Sequence, residues 1–268
     1  MKVSILGAGW LGFPLGNKLL KSGYQVNGST TSTEKLDVIR SSGMIPHLIK
    51  LDQNIDFEAL KAFCEVDVLV ITLPPGRRYP DVLENYTKRI QLILSVLHPP
   101  SLQGIIYTSS TSVYGNIEGI CTEQSPINPL TASAKAVRQA EQMLLNSSIP
   151  LTILRFGGLA GENRKAGRFL AGKKDLPDGD APVNLVHQLD CIHIMEMLIE
   201  KRTFGELFNV CAPLHPSRSE TYIKQAEKLG LEVPTFISKK TKPYKIISAQ
   251  KLTDHLDYEW RHPNPLNF

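Results

Sequence analysis

Gly7-Ala8-Gly9-Trp10-Leu11-Gly12 follows directly on the strand-like run Lys2–Leu6 and opens a stretch, Trp10–Lys21, that reads as helix. The glycines therefore occupy a strand-to-helix turn, where Gly-x-Gly-x-x-Gly has a mechanical meaning. Gly7 permits the tight turn, Gly9 lets the backbone approach a diphosphate, and Gly12 lets helix and strand pack closely. The helix start adds unpaired N–H groups and partial positive charge for the same anion. A dinucleotide cradle is the expectation, with Trp10 and Leu11 as contacts beside the glycines.

Outward from this turn, short β-branched runs alternate with longer amphipathic stretches, the signature of a parallel sheet with crossover helices. Strands are expected at Lys2–Leu6, Tyr24–Gly28, His47–Leu51, Val66–Leu73, Gly104–Ser109 and Leu151–Arg155. Helices are expected at Trp10–Lys21, Glu34–Ser41, Asp56–Cys64, Val82–Leu97 and Thr131–Leu145. The near-continuous apolar run from Val66 to Leu73 suits a central strand covered on both faces. The fold class predicted is α/β, a doubly wound parallel sheet with a crevice at the carboxyl ends of its strands. Beyond Arg155 the rhythm loosens into shorter elements, Val183–His187, Leu189–Lys201, Leu207–Val210 and Ser217–Leu229. Residues 1–155 thus read as the nucleotide-binding domain and 156–268 as a smaller substrate lobe packed on the same sheet.

Composition excludes several classes. With 268 residues the chain buries enough surface to fold without disulfides or metal. Lys+Arg 30 against Asp+Glu 26 leaves +4, too mild to point to nucleic acid. The four cysteines, Cys64, Cys121, Cys191 and Cys211, form no close pair, so reduced thiols in a cytoplasmic protein are expected. Lys2 and the apolar residues after it imitate a secretion signal, but Gly7, Gly9, Gly12 and Pro14 interrupt the stretch that would have to be helical. No apolar run approaches the ~20 residues a bilayer requires.

Cofactor selectivity should be written at the end of the second strand, where an acid would bind the ribose hydroxyls of NAD. Ser29-Thr30-Thr31-Ser32-Thr33 stands there instead, with no acid before Glu34 and with Lys35 next. Thr30, Thr31 and Ser32 would accommodate a 2′-phosphate, which favours NADP while leaving NAD possible. Asp52, past the third strand, is either a partner for the adenine amino group or a loop cap. Leu73 and Pro74, closing the fourth strand, border the crevice, and Arg77, Arg78 and Tyr79 beyond them would hold an anion or form a solvated turn.

The string Ile105-Ile106-Tyr107-Thr108-Ser109-Ser110-Thr111-Ser112-Val113-Tyr114-Gly115 runs an apolar strand into clustered hydroxyls above the crevice. With the glycine turn, it resembles the extended short-chain dehydrogenase/reductases, the nucleotide-sugar epimerase/dehydratase superfamily of Rossmann proteins. Leu154-Arg155-Phe156-Gly157-Gly158, Leu185-Val186-His187-Gln188-Leu189-Asp190 and Gly205-Glu206-Leu207-Phe208-Asn209-Val210 agree in order, so the resemblance spans nearly the whole chain. It implies that Ser110 hydrogen-bonds a substrate carbonyl or alcohol and that Lys135 binds the nicotinamide ribose. It also implies a nucleotide-sugar or other small-molecule substrate, and a homodimer formed through Val82–Leu97 and Thr131–Leu145.

The family's Tyr-x-x-x-Lys pair is broken, because Thr131 stands four residues before Lys135. A threonine hydroxyl has no ring to stabilise an oxyanion and is a poor general acid or base. Tyr114 or Tyr107 is the available replacement phenol, against the simpler reading of Tyr114 as part of the family's Val-Tyr-Gly string. The chain thus resembles the atypical members of the group. His187, Asp190 and His193 suggest no metal, since positions six apart on a helix diverge by about 120°. Lys239, Lys240, Lys242 and Lys245 read as a solvated surface, and Trp260 with the prolines after it reads as a docked tail.

Overall fold

The computed structural model describes residues 1–76, 81–97 and 102–268. Its strands are β1 Lys2–Leu6, β2 Gln25–Thr30, β3 Ile45–Leu48, β4 Val68–Ile71, β5 Gly104–Ser110, β6 Gly119–Cys121, β7 Leu151–Phe156, β8 Gly158–Ala160, β9 Leu185–His187, β10 Leu207–Val210 and β11 Lys245–Ile247. Its helices are α1 Gly12–Lys21, α2 Leu36–Ser41, α3 Phe57–Cys64, α4 Val82–Val96, α5 Ala132–Leu145, α6 Gln188–Glu200, α7 Arg218–Lys228 and α8 Gln250–Leu256.

One sheet has seven strands in the order β10-β7-β5-β4-β1-β2-β3. From β1 the chain builds outward to β2 and β3, then returns to β4 and β5 on the other side, all in parallel. That reversal is the expected doubly wound topology, and it opens a crevice where β1 and β4 end. Every side chain of β4 is buried, as its unbroken Val68-Leu69-Val70-Ile71 demands. Ser4 lies in the same core without an unmet hydroxyl: it donates to the Phe63 carbonyl at 2.5 Å and accepts from Asn27 Nδ2 at 3.0 Å.

Some expected boundaries move. β2 runs on to Thr30 because pairing with β3 sets Ser29 against His47 and Thr30 against Leu48, overriding the loop-like composition of that stretch. The same register starts β3 at Ile45, two residues before the expected His47. α5 begins at Ala132, with Thr131 outside the helix as its N-cap.

Two compact units divide the chain: Met1–Val113, Thr131–Leu154 and Ile194–Leu207 form one, and Tyr114–Leu130, Arg155–His193 and Phe208–Phe268 form the other. The lobe expected at 156–268 is therefore joined by Tyr114–Leu130 and lacks Ile194–Leu207. Within the second unit, Ala160, Ala166, Val183 and Leu185 make a small core covered by Phe169, Tyr222 and Phe268. All four cysteines are free and buried, and burial pushes the Cys64 thiol up to about 12. Among the described residues, no helix is long and apolar enough to cross a membrane.

Candidate functional site

The glycine turn is clamped by its neighbours in the first unit. Gly7 has φ of +105°, donates its N–H to Ser29 Oγ at 2.9 Å, and accepts at its carbonyl from Thr72 Oγ1 at 2.7 Å. Ala8 N–H adds a bond to the Ser29 carbonyl at 2.8 Å. A Cβ on Gly12 would stand 2.3 Å from the Gly7 carbonyl oxygen and 2.8 Å from Ile5 Cγ2, so packing alone forbids a side chain there. Gly9 is different: a Cβ would meet nothing nearer than the Gly7 oxygen at 4.0 Å. The protein's own packing does not require glycine at position 9, whereas close approach of a ligand would.

Helix α1 starts beside this turn without a side-chain cap, its N-cap residue being Leu11. By contrast α3, α5 and α7 are capped by Asp56, Thr131 and Ser217. No side chain caps the opening of α1, but Gly9 N–H already donates to the Gly7 carbonyl at 2.7 Å and Phe13 N–H to the Gly9 carbonyl at 2.9 Å, and Pro14 has no N–H, so Leu11 and Gly12 carry the main-chain N–H groups that would meet a diphosphate. Leu11 is buried in the core, so its main chain and not its side chain faces such a ligand; Trp10 is half-buried.

At the end of β2, Thr30 Oγ1 accepts from the Ser32 N–H at 3.1 Å, Thr31 is exposed, and Ser32 Oγ lies 3.5 Å from Glu34 Oε2. Lys35 is exposed on the short turn Thr33–Lys35. Asp52 accepts from the Asn54 N–H at 2.9 Å, the geometry of a capped loop, and is exposed. Leu73 is half-buried and Pro74 exposed at the lip beyond β4. Arg77, Arg78 and Tyr79 lie outside the described residues.

Ser110 ends β5 half-buried, its Oγ accepting from the Ser112 N–H at 3.2 Å. That bond occupies a lone pair and leaves the hydroxyl proton for another acceptor. Ser109, one residue earlier and on the other face, is committed to the core: it donates to the buried Glu141 at 2.5 Å, whose other oxygen accepts from Arg138 at 2.9 Å. Thr131 Oγ1 caps α5 by accepting from the Ala134 N–H at 3.2 Å, and Lys135 is exposed one turn later. Tyr107 is fully buried against Tyr86, hydroxyl to hydroxyl at 3.1 Å, and so supplies no phenol to the crevice.

In the second unit Tyr114 is also fully buried. Its hydroxyl donates to Asn209 Oδ1 at 2.8 Å and accepts from Arg155 Nη1 at 2.9 Å. Burial pushes this phenol up to about 12, against the opposing pull of Arg155. An enclosed hydroxyl engaged on both sides holds neighbours in place and is badly suited to exchange protons with a substrate.

Among the described residues, His187, Asp190 and His262 bring metal-capable atoms within 4.8 Å of one another, with His262 and not His193 as the third member. The His187 and His262 rings stack at 3.8 Å and 24°, so their in-plane lone pairs run side by side instead of converging on an ion. Each oxygen of the buried Asp190 already accepts two bonds: Tyr258 Oη at 2.7 Å and Arg261 N–H at 2.9 Å on one, His262 N–H and Nδ1 at 3.1 Å on the other. The cluster anchors the tail.

Sequence reasoning missed Ser29 and Thr72, the two hydroxyls that fix Gly7. Their only signal was a hydroxyl at the end of a strand flanking the turn.

Comparison with known proteins agrees with this geometry. A family model described as NAD(P)H-binding matches residues 7–187. Protein YeeZ of Escherichia coli K12 is 39% identical over 99% of this chain and 97% of its own. A UDP-glucuronic acid 4-epimerase from Bacillus cereus, solved with UDP-glucuronic acid and NAD, superposes with a TM-score of 0.79 at 21% identity, covering 100% of this chain and 96% of that one. A UDP-glucose-4-epimerase from Stenotrophomonas maltophila with bound NAD gives 0.81 at 15% identity, covering 100% and 95%.

Proposed function

The chain belongs to the NAD(P)H-binding family, and from that premise we propose that it is an NADP-dependent oxidoreductase or epimerase/dehydratase-like enzyme acting on a carbonyl or alcohol of a small or nucleotide-linked substrate. The observation that carries this reading is Gly9, a glycine that the fold does not need beside a helix start without a side-chain cap. Thr30, Thr31, Ser32 and Lys35 would receive the 2′-phosphate, Asp52 the adenine amino group, and Leu73 and Pro74 the adjoining ribose. A bound nicotinamide supplies the hydride acceptor or donor.

Ser110, with its lone pair taken by Ser112, donates its proton to the reacting oxygen and so orients it. Lys135 binds the nicotinamide ribose. Thr131 sits one turn before Lys135 and accepts the helix-cap bond, and its aliphatic hydroxyl, with no ring to stabilise an oxyanion, is a poor general acid or base, so the exchanged proton comes through water. Tyr114 serves as packing. The unit that carries these groups also offers α4 and α5, which pack side by side, as the surface of a homodimer.

Calorimetric titration with NADPH and NADH, followed by turnover of a panel of aldehydes, ketones and nucleotide sugars, tests the proposal. Tighter binding of NADPH, turnover by the wild type and a fall of about 100-fold in Ser110→Ala are expected. Absence of turnover across the panel would remove the enzymatic reading.

A second reading, a nucleotide-sensing regulatory protein, is favoured by one observation: the hydroxyl at the position of the family's phenol is engaged in capping. Thr131→Tyr separates the two. A large gain of turnover supports a wild type without catalysis, and no gain supports a wild type that works through water.

A further inference from the structure

Behind the lip of the crevice, two buried tyrosines make a directional chain. Tyr107 on β5 and Tyr86 on α4 are both almost completely enclosed, with hydroxyls 3.1 Å apart, and Tyr86 Oη donates to the Leu73 carbonyl at 3.0 Å. A single proton order satisfies all three groups: Tyr107 donates to Tyr86, and Tyr86 donates to Leu73. Burial keeps both phenols protonated.

Leu73 in turn abuts the glycine turn. Its Cδ2 lies 3.4 Å from where a Gly7 Cβ would be, and the preceding residue, Thr72, holds the Gly7 carbonyl. Pro74 and Pro75, next along the lip, offer no N–H of their own.

We propose that Tyr86 is a positioning residue for the dinucleotide: its bond to the Leu73 carbonyl fixes the β4 lip against the glycine turn and so sets the width of the cradle. Tyr107 orients the Tyr86 hydroxyl and stands one hydrogen bond further from the Leu73 carbonyl. This inference rests on the dinucleotide reading above. It assigns a role to a residue that lies in the core and faces no ligand.

The test compares Tyr86→Phe and Tyr107→Phe by thermal melting and by titration with NADPH and NADH. Tyr86→Phe orphans both the Tyr107 hydroxyl and the Leu73 carbonyl, Tyr107→Phe removes only the donor to Tyr86, and both variants should melt lower than wild type. Only Tyr86→Phe releases the lip, so the Kd of the preferred cofactor should rise about five- to tenfold there and stay within about twofold in Tyr107→Phe. Equal affinities in the two variants, whether unchanged or weakened alike, overturn the positioning role. A wild type that binds neither nucleotide refutes the dinucleotide reading instead. Should Tyr86→Phe not fold, the carbonyl ¹³C resonance of Leu73 in the wild type decides: it should move on addition of the preferred cofactor and broaden in free Tyr107→Phe, and a resonance unchanged in both cases overturns the proposal.

Discussion

Replacing Gly9 by alanine should leave the protein standing and its ligand excluded. Its backbone is not in the positive-φ set and its Cβ would meet open space, so stability should change by less than about 0.5 kcal/mol. The same methyl would project toward a diphosphate, so the Kd for the preferred nicotinamide cofactor should rise at least about tenfold in calorimetry. Gly12→Ala should do the reverse in order of cause: a Cβ 2.3 Å from a carbonyl oxygen overpacks the strand–helix contact, and a loss of about 1–3 kcal/mol should appear in urea melts before any binding is measured. An equal effect of the two alanines on melting would show that Gly9 is held by packing after all. Lys35→Ala adds a test of selectivity: NADPH binding should weaken about tenfold with NADH binding unchanged if the exposed ammonium receives the 2′-phosphate.

Among the elements, α5 depends on its first residue. Thr131→Ala removes the acceptor of the Ala134 N–H and should cost about 1 kcal/mol, and Thr131→Ser should restore it. Thr131→Tyr carries the same penalty, so turnover in that variant must be measured well below its melting point. The sequence made β1 and the glycine turn legible because each is announced by a local pattern, a β-branched run and glycine spacing, whereas Ser110 and Lys135 were singled out through the family resemblance, Ser110 where a strand runs into hydroxyls. The tyrosine chain and the Ser29 and Thr72 clamps were not legible, because their partners lie 13, 22 and 65 residues away. β6, β8 and β11 escaped for the same reason, three-residue strands having too little period to read, while β9 was expected within Val183–His187 but without its partner.

On the scale of the whole molecule, acid should loosen the second unit first. Burial, with His262 next to it, lowers the His187 imidazole to about 4 from its ordinary 6.5, while Asp190 pulls the other way and Lys165 adds to the lowering. The unfolded chain therefore takes up a proton on this residue between about 6.5 and about 4 that the folded one refuses, so stability falls as pH drops through that window. Melting temperatures from pH 7 to pH 4 should show the fall, and His187→Gln should flatten it; an identical slope in the variant would assign the acid sensitivity elsewhere. The division of the chain also has a practical result. Three segments of one unit alternate with three of the other, so the backbone passes between them five times. No single cut in the gene can separate one unit whole, and libraries of terminal deletions should return insoluble fragments at every length that removes a full segment, so dissecting the two halves calls for linkers that join the three segments of one unit or for split-chain complementation.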